Sequence, residues 1–173
     1  MCPLVKVLAA TPGIESAFAR TPQHRQMLDQ VLVAFSVTPD FDLNIMPRSQ
    51  TLTQISARVL EGFEDVLAQV RPDLVLVHGD TTTSMCAALA AFYQKIPVGH
   101  VEAGLRTYDR YSPFPEEANR QITDHLSELL FCPTRANAEN IAQEHVEGTV
   151  HITGNTVLDA FATTVRDDYE FHN

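Results

Sequence analysis

The chain has 173 residues, of which 45% are hydrophobic and 20% charged, with a formal net charge of −10. That length holds one sizeable domain rather than two, and the hydrophobic share excludes disorder as the overall class. An acidic chain without a basic stripe argues against nucleic acid as a partner, although a phosphate-bearing small molecule needs only a few local donors. Cys2, Cys86 and Cys132 are scattered without paired spacing, which points to reduced thiols and a cytoplasmic setting. The longest apolar stretch is far below the length of a membrane span, and the first eleven residues have too short an apolar core for a signal peptide.

In chain order, Pro3 to Ala10 reads as a short apolar helix with proline in its first turn, ended by Pro12-Gly13. Ser16 to Arg20 reads as a weakly alternating strand. Met27, Leu28, Val31, Leu32 and Phe35 recur at helical spacing, so Gln23, His24, Arg25 and Gln26 fall near a helix start. There they either face an anionic ligand or form a polar helix face. Phe41 to Ile45 is a short edge strand in a proline-bounded loop. Thr51 to Gln69 is the clearest amphipathic helix, with Leu52, Ile55, Val59, Leu60, Phe63, Val66 and Leu67 on one face.

Arg71-Pro72 breaks that helix, and Leu74 to Val77 forms a strand ending in His78, Gly79 and Asp80. Thr81 to Thr83 lead into a helix through Met85 to Tyr93; they serve either as caps or as donors to a phosphate or sugar hydroxyl. A second strand, Pro97 to Val101, ends in Glu102. A polar loop carrying Arg106, Arg110 and Ser112 follows, then a helix opened by Pro115 with Glu116, Glu117, Asn119 and Arg120. Leu129 to Cys132 is a strand, Thr134 to Glu144 a capped helix, Thr149 to Thr153 a strand and Thr156 to Val165 a last helix. Residues 1–166 read as one domain and residues 167–173 as an acidic tail. Alternating strand and helix means α/β, with a parallel sheet covered on both faces. The chain opens on a helix, whereas a doubly wound domain usually opens on a strand.

Ligands of parallel sheets bind beyond the carboxyl ends of the strands. If the strands ending in Asp80 and Glu102 are neighbours, about 4.8 Å apart, both carboxylates share one rim with Glu116 or Glu117. Close carboxylates push their proton affinities apart, which suits acid and base steps on a sugar; surface acidity is the plain alternative. His78 and His100 end analogous strands and invite a metal reading, but no recognised ligand spacing supports it. The glycines make no GxGxxG fingerprint.

At these residues the chain resembles a family. The segments TPQHRQMLDQVL, DLNIM, PDLVLVHGDTTTS, AAFYQKIPVGHVEAGLRT, YSPFPEEANRQ and ITGNTVLDA are similar to bacterial non-hydrolysing UDP-N-acetylglucosamine 2-epimerases, from about Pro3 to about Val165. The resemblance implies a Rossmann-like parallel-sheet domain of a GT-B-like architecture, here lacking the first strand and the second domain. It implies a cytoplasmic isomerase of cell-surface polysaccharide biosynthesis that interconverts UDP-N-acetylglucosamine and UDP-N-acetylmannosamine. UDP is eliminated to give a bound 2-acetamidoglucal, then added back with C2 inverted.

Asp80, Glu102 and Glu116 match the family's acid/base positions, with their individual roles unassigned. Gln23 and Gln26 match an activator site for UDP-N-acetylglucosamine, and Glu116 lies where the two sites meet. An arginine expected before the QTL string is offset, with Ser49 in its place and Arg48 preceding it. Arg106, Glu117, Asn119 and Arg120 are the remaining candidate substrate or activator contacts. No metal or redox cofactor is implied, and a homodimer is expected because the family is commonly dimeric. Without a central strand and a second domain, the isolated chain is expected to be marginally stable and to have little or no epimerase activity. The competing readings are a non-catalytic remnant or partner-binding module that pairs its strand edges, and a glycosyltransferase-like or hydrolytic enzyme on the same architecture.

Overall fold

A computed structural model describes residues 1–21, 25–43 and 50–165, with the side chains of 25–27 outside that description. Gln23, His24, the side chains of Arg25 and Gln26, Arg48, Ser49 and the 167–173 tail therefore lie outside the described residues. The elements are α1 (Cys2–Ala10), β1 (Ala19–Arg20), α2 (Arg25–Ala34), β2 (Phe41–Asp42), α3 (Leu52–Val70), β3 (Val75–His78), α4 (Thr82–Tyr93), β4 (Val98–Val101), α5 (Glu116–His125), β5 (Leu129–Cys132), α6 (Arg135–Gln143), β6 (Thr149–Ile152) and α7 (Thr156–Thr164). The chain thus opens on a helix, with proline in its first turn as expected.

All described strand pairs are parallel. β3, β4, β5 and β6 form one sheet in chain order, and β1 pairs with β2 in a separate ladder. β1 is shorter than the Ser16 to Arg20 run suggested, because only Ala19 and Arg20 find partners, in Phe41 and Asp42. Arg20 ties that ladder to α2 through ion pairs with Asp42 and Asp29, and these two carboxylates raise its pKa.

Strand order equal to chain order has a consequence for packing. Right-handed crossovers place α4, α5 and α6 on a single face of the sheet. The register agrees: Val77 pairs with His100 and His100 with Leu130, so these side chains point the same way. On that face Val75, Val77 and Val98 pack with Leu67 of α3 and with Ala87, Ala88, Ala90 and Ala91 of α4. The alanines let α4 approach the sheet closely. Leu130 and Cys132 pack with Ala103 and Ile141 beside them. The other face, with Leu76, Leu129 and Phe131 half-buried and His151 exposed, is only partly covered.

The helices begin where the sequence supplies oxygen acceptors. Thr51 closes a capping box with Gln54 at the start of α3, and Thr134 does the same with Asn137 at α6. Thr81 caps α4 by accepting from the Ser84 N–H, so Thr82 and Thr83 are already helical. No helix among the described residues is long and apolar enough to cross a membrane.

Two substitutions separate core from cap. Leu130→Ala, at a side chain with no exposure, is expected to lower unfolding stability by about 2–5 kcal/mol. Thr51→Ala is expected to cost about 1 kcal/mol. Urea unfolding of both variants checks the ranking.

Candidate active site

β3 and β4 are neighbours, with His78 opposite Val101, so the chain leaves both strands on the same rim. Asp80 lies just past β3. Its Oδ2 accepts from Nη2 of Arg120 at 2.7 Å and from Nε at 3.0 Å. Its carbonyl accepts from Asn119 Nδ2 at 2.9 Å. Arg120 also reaches Glu117 Oε2 at 3.0 Å, so one guanidinium spans two carboxylates on α5 and the β3 rim.

Glu102 immediately follows β4 and has φ +76°, a left-handed backbone unusual for a residue with a side chain. Such strain concentrates at functional sites. Its Oε1 accepts from Asn155 Nδ2 at 2.7 Å, and a Cβ placed on Gly79 would lie 3.4 Å from its Oε2. Glu102 therefore folds back over the residue preceding Asp80. His78 Nε2 is 3.8 Å from the same carboxylate. Burial lowers the His78 pKa, with the N-terminal ammonium adding to the effect and Glu102 opposing it. Asn155 has a second task, capping α7 by accepting from the Val157 N–H. It brings the β6 end into the same rim.

Glu116 opens α5 and is half-buried. Its neighbour Glu117 is fully buried and accepts four hydrogen bonds, from the N–H groups of Thr107 and Tyr108 and from Arg120 and Gln121. Burial acts to raise its pKa, but those donors outweigh burial and hold it below the usual carboxylate range. Glu117 therefore fastens the β4–α5 loop to α5.

The same loop is fastened to α6. Gly104, at φ +80°, presses against the Asn137 carbonyl; an added Cβ would meet that oxygen at 2.3 Å. Asn137 and Asn140 both donate to the Gly104 carbonyl, and the Tyr108 hydroxyl donates to Asn140.

The expected residues divide. Asp80, Glu102 and Arg120 come together on one rim, and Glu116 opens the helix that carries Arg120. Arg106 is a correction: its side chain has no accessible surface and pairs with Asp124 at 2.7 Å and Glu144 at 2.7 Å. Burial disfavours its charge, but Glu144 and Asp124 outweigh burial and raise its pKa. It braces the loop and is not free to meet a ligand. Glu117 and Asn119 are also buried and hold neighbouring groups in place. His78 and His100 leave the sheet on opposite faces, as their register requires, so they do not converge on a metal. No group of three or more His, Cys, Asp or Glu among the described residues is arranged to hold one.

Two residues escaped the sequence reading: Asn155 and Asp124. Asp124 carried a readable signal. An acid in the last turn of a helix opposes the helix dipole, so it calls for a cationic partner.

The fold is a parallel α/β domain with a carboxylate-bearing rim at the strand ends. A family model described as UDP-N-acetylglucosamine 2-epimerase matches residues 6–172, and the chain belongs to that family. It is 58% identical over 161 residues to the UDP-N-acetylglucosamine 2-epimerase of Escherichia coli K12, covering 92% of this chain and 43% of the relative. The crystal structure of the Neisseria meningitidis UDP-GlcNAc 2-epimerase bound to UDP-GlcNAc superposes with TM-score 0.88 at 52% identity, over 94% of this chain and 44% of that one. The Methanocaldococcus jannaschii enzyme in complex with UDP-GlcNAc and UDP matches with TM-score 0.85 at 38% identity, over 93% and 44%. The chain thus spans a little under half the length of the relatives it matches.

Two tests probe the braces. Gly104→Ala is expected to destabilise by about 1–3 kcal/mol, since the Asn137 backbone cannot give way, as read by urea unfolding. Glu117, with its pKa depressed on folding, stabilises the fold above the unfolded carboxylate value, about 4.3, and loses that contribution as pH falls through its folded value. Glu117→Gln is therefore expected to lower the unfolding midpoint at pH 7, with the gap to wild type closing as pH falls towards 3.

Proposed function

We propose that this chain supplies acid/base groups of a UDP-N-acetylglucosamine 2-epimerase. The observation that carries the reading is Asp80 and Glu102 at the ends of adjacent parallel strands in a chain of that family.

The proposed chemistry uses a base on one side of the sugar ring and proton donors near the departing group. A carboxylate takes the C2 proton as the C1–O bond to UDP breaks. The electron pair of the C–H bond forms the C1–C2 double bond, and the bond pair to C1 leaves with UDP. Return of UDP to C1 and of a proton to the opposite face of C2 completes inversion. Asp80 has Oδ2 occupied by Arg120, which fixes its orientation and leaves Oδ1 as the oxygen for proton transfer. Glu102 is pinned at Oε1 by Asn155. Among the described residues, no side-chain hydrogen bond or ion pair of Glu116 competes with a ligand. The substrate follows from the ligands named for the Neisseria and Methanocaldococcus structures. A homodimer and a cytoplasmic setting accompany this reading.

The test uses a polypeptide of the relatives' full length that carries this chain. Asp80→Asn is expected to lower epimerisation by about 100-fold or more, while UDP-N-acetylglucosamine still binds by calorimetry. Wild-type turnover in that variant removes Asp80 from the mechanism.

A further inference from the structure

We infer that His100 and Asp124 are positioning residues that fasten both carboxylate-bearing loops from beneath, with His100 held in its doubly protonated form. The inference concerns how the proposed site is built and rests on that reading of the site only for its catalytic meaning.

Both side chains have no accessible surface. His100 Nδ1 is 2.6 Å from Asp124 Oδ1, and His100 Nε2 is 2.9 Å from the Gly79 carbonyl. A carbonyl oxygen and an ionised carboxylate are acceptors only. A neutral imidazole donates once, so it would leave one buried acceptor facing a bare nitrogen; a doubly protonated ring donates to both. The proton belongs on the ring rather than on Asp124, because Asp124 Oδ2 already faces Arg106 Nη1 at 2.7 Å and the Gly104 N–H at 3.2 Å. Both contacts favour the carboxylate. Charge then balances within the fold: His100 and Arg106 are positive, Asp124 and Glu144 negative, in one connected set that reaches solvent only at Glu144.

β3 contributes the Gly79 carbonyl and, on the far face of the sheet, His78. β5 contributes Cys132, whose thiol burial and the Asp124 charge push up to about 11, so it stays neutral. α5 contributes Asp124, and α6 is reached through Glu144 and Arg106.

The position matters as much as the charge. Gly79 immediately precedes Asp80, and Gly104 lies two residues after Glu102. Asp124 grips the second loop directly at the Gly104 N–H, and the first through the His100 ring. One buried pair therefore sets the spacing between the two loops.

The test is long-range 1H–15N NMR of histidine rings in the isotopically labelled chain, with hydrogen exchange of the backbone amides. In the wild type both His100 ring nitrogens are expected to carry protons, each donated to one of the two acceptors. In Asp124→Asn the ring is expected to become a single neutral tautomer. Amides of 79–83 and 102–106 then lose protection by about tenfold or more, while those of β5 keep theirs. The double variant His100→Gln with Asp124→Asn replaces the ion pair by a neutral hydrogen-bonded pair and keeps the set balanced; it is expected to regain most of the lost protection. A wild-type ring with one unprotonated nitrogen at pH 7 overturns the inference, and this holds even if the variants do not fold. So does unchanged loop protection in Asp124→Asn. Neither readout involves a sugar nucleotide, so failure of the epimerase reading would show separately, in turnover.

Discussion

A carboxylate with no access to water must be satisfied by the protein itself, and Asp124 is the point where this fold meets that demand. Three donors from two stretches of chain converge on it: the His100 ring, the Gly104 amide and the Arg106 guanidinium. Removing one partner of a buried charge is far more damaging than never having built the pair, so those donors are constrained together. The strand β4, the loop that follows it and the helix α5 cannot shift independently. Loops that hold a functional rim are ordinarily among the less stable parts of a domain; here the loop after β4 is locked at several points.

That locking explains how acids can gather where the backbone is least regular. Glu102 sits in a left-handed conformation, which costs on the order of 1–3 kcal/mol. The surrounding bonds over-determine it: its own amide and that of Ala103 both bond to the Phe131 carbonyl of β5, and Asn155 holds its carboxylate. Asp80 is oriented by Arg120, which Glu117 in turn holds. Asp80 is thus positioned by a residue with less exposure than itself. Such preorganisation lets a group act on a developing charge without first rearranging.

Much of the architecture was legible because it rests on local signals. β5 was read with its observed bounds, and β3, β4, β6 and α3 came within a residue or two, since short apolar runs and cap residues fix them. α4 begins earlier than its apolar segment because Thr81, readable as a cap or a ligand group, is the cap. The neighbouring placement of β3 and β4 was a conditional inference that the register supports. What local pattern could not reveal was distance along the chain. His100 and Asp124 are 24 residues apart, and Arg106 and Glu144 are 38 apart. Polar residues such as Arg106, Glu117 and Asn119 look like ligand-facing groups in a string of letters. Their burial follows only from tertiary packing. Strand order, which places α4, α5 and α6 on one face, is likewise left open by sequence alone.

The proposed function places proton transfer at C2 of a UDP-linked amino sugar on the strand-end carboxylates. The most direct measurement is recovery of UDP-N-acetylglucosamine and its epimer after turnover in D2O by a full-length polypeptide carrying this chain. The account predicts deuterium at C2 with the UDP linkage retained. Epimerised product without deuterium, or free sugar released from UDP, would contradict it.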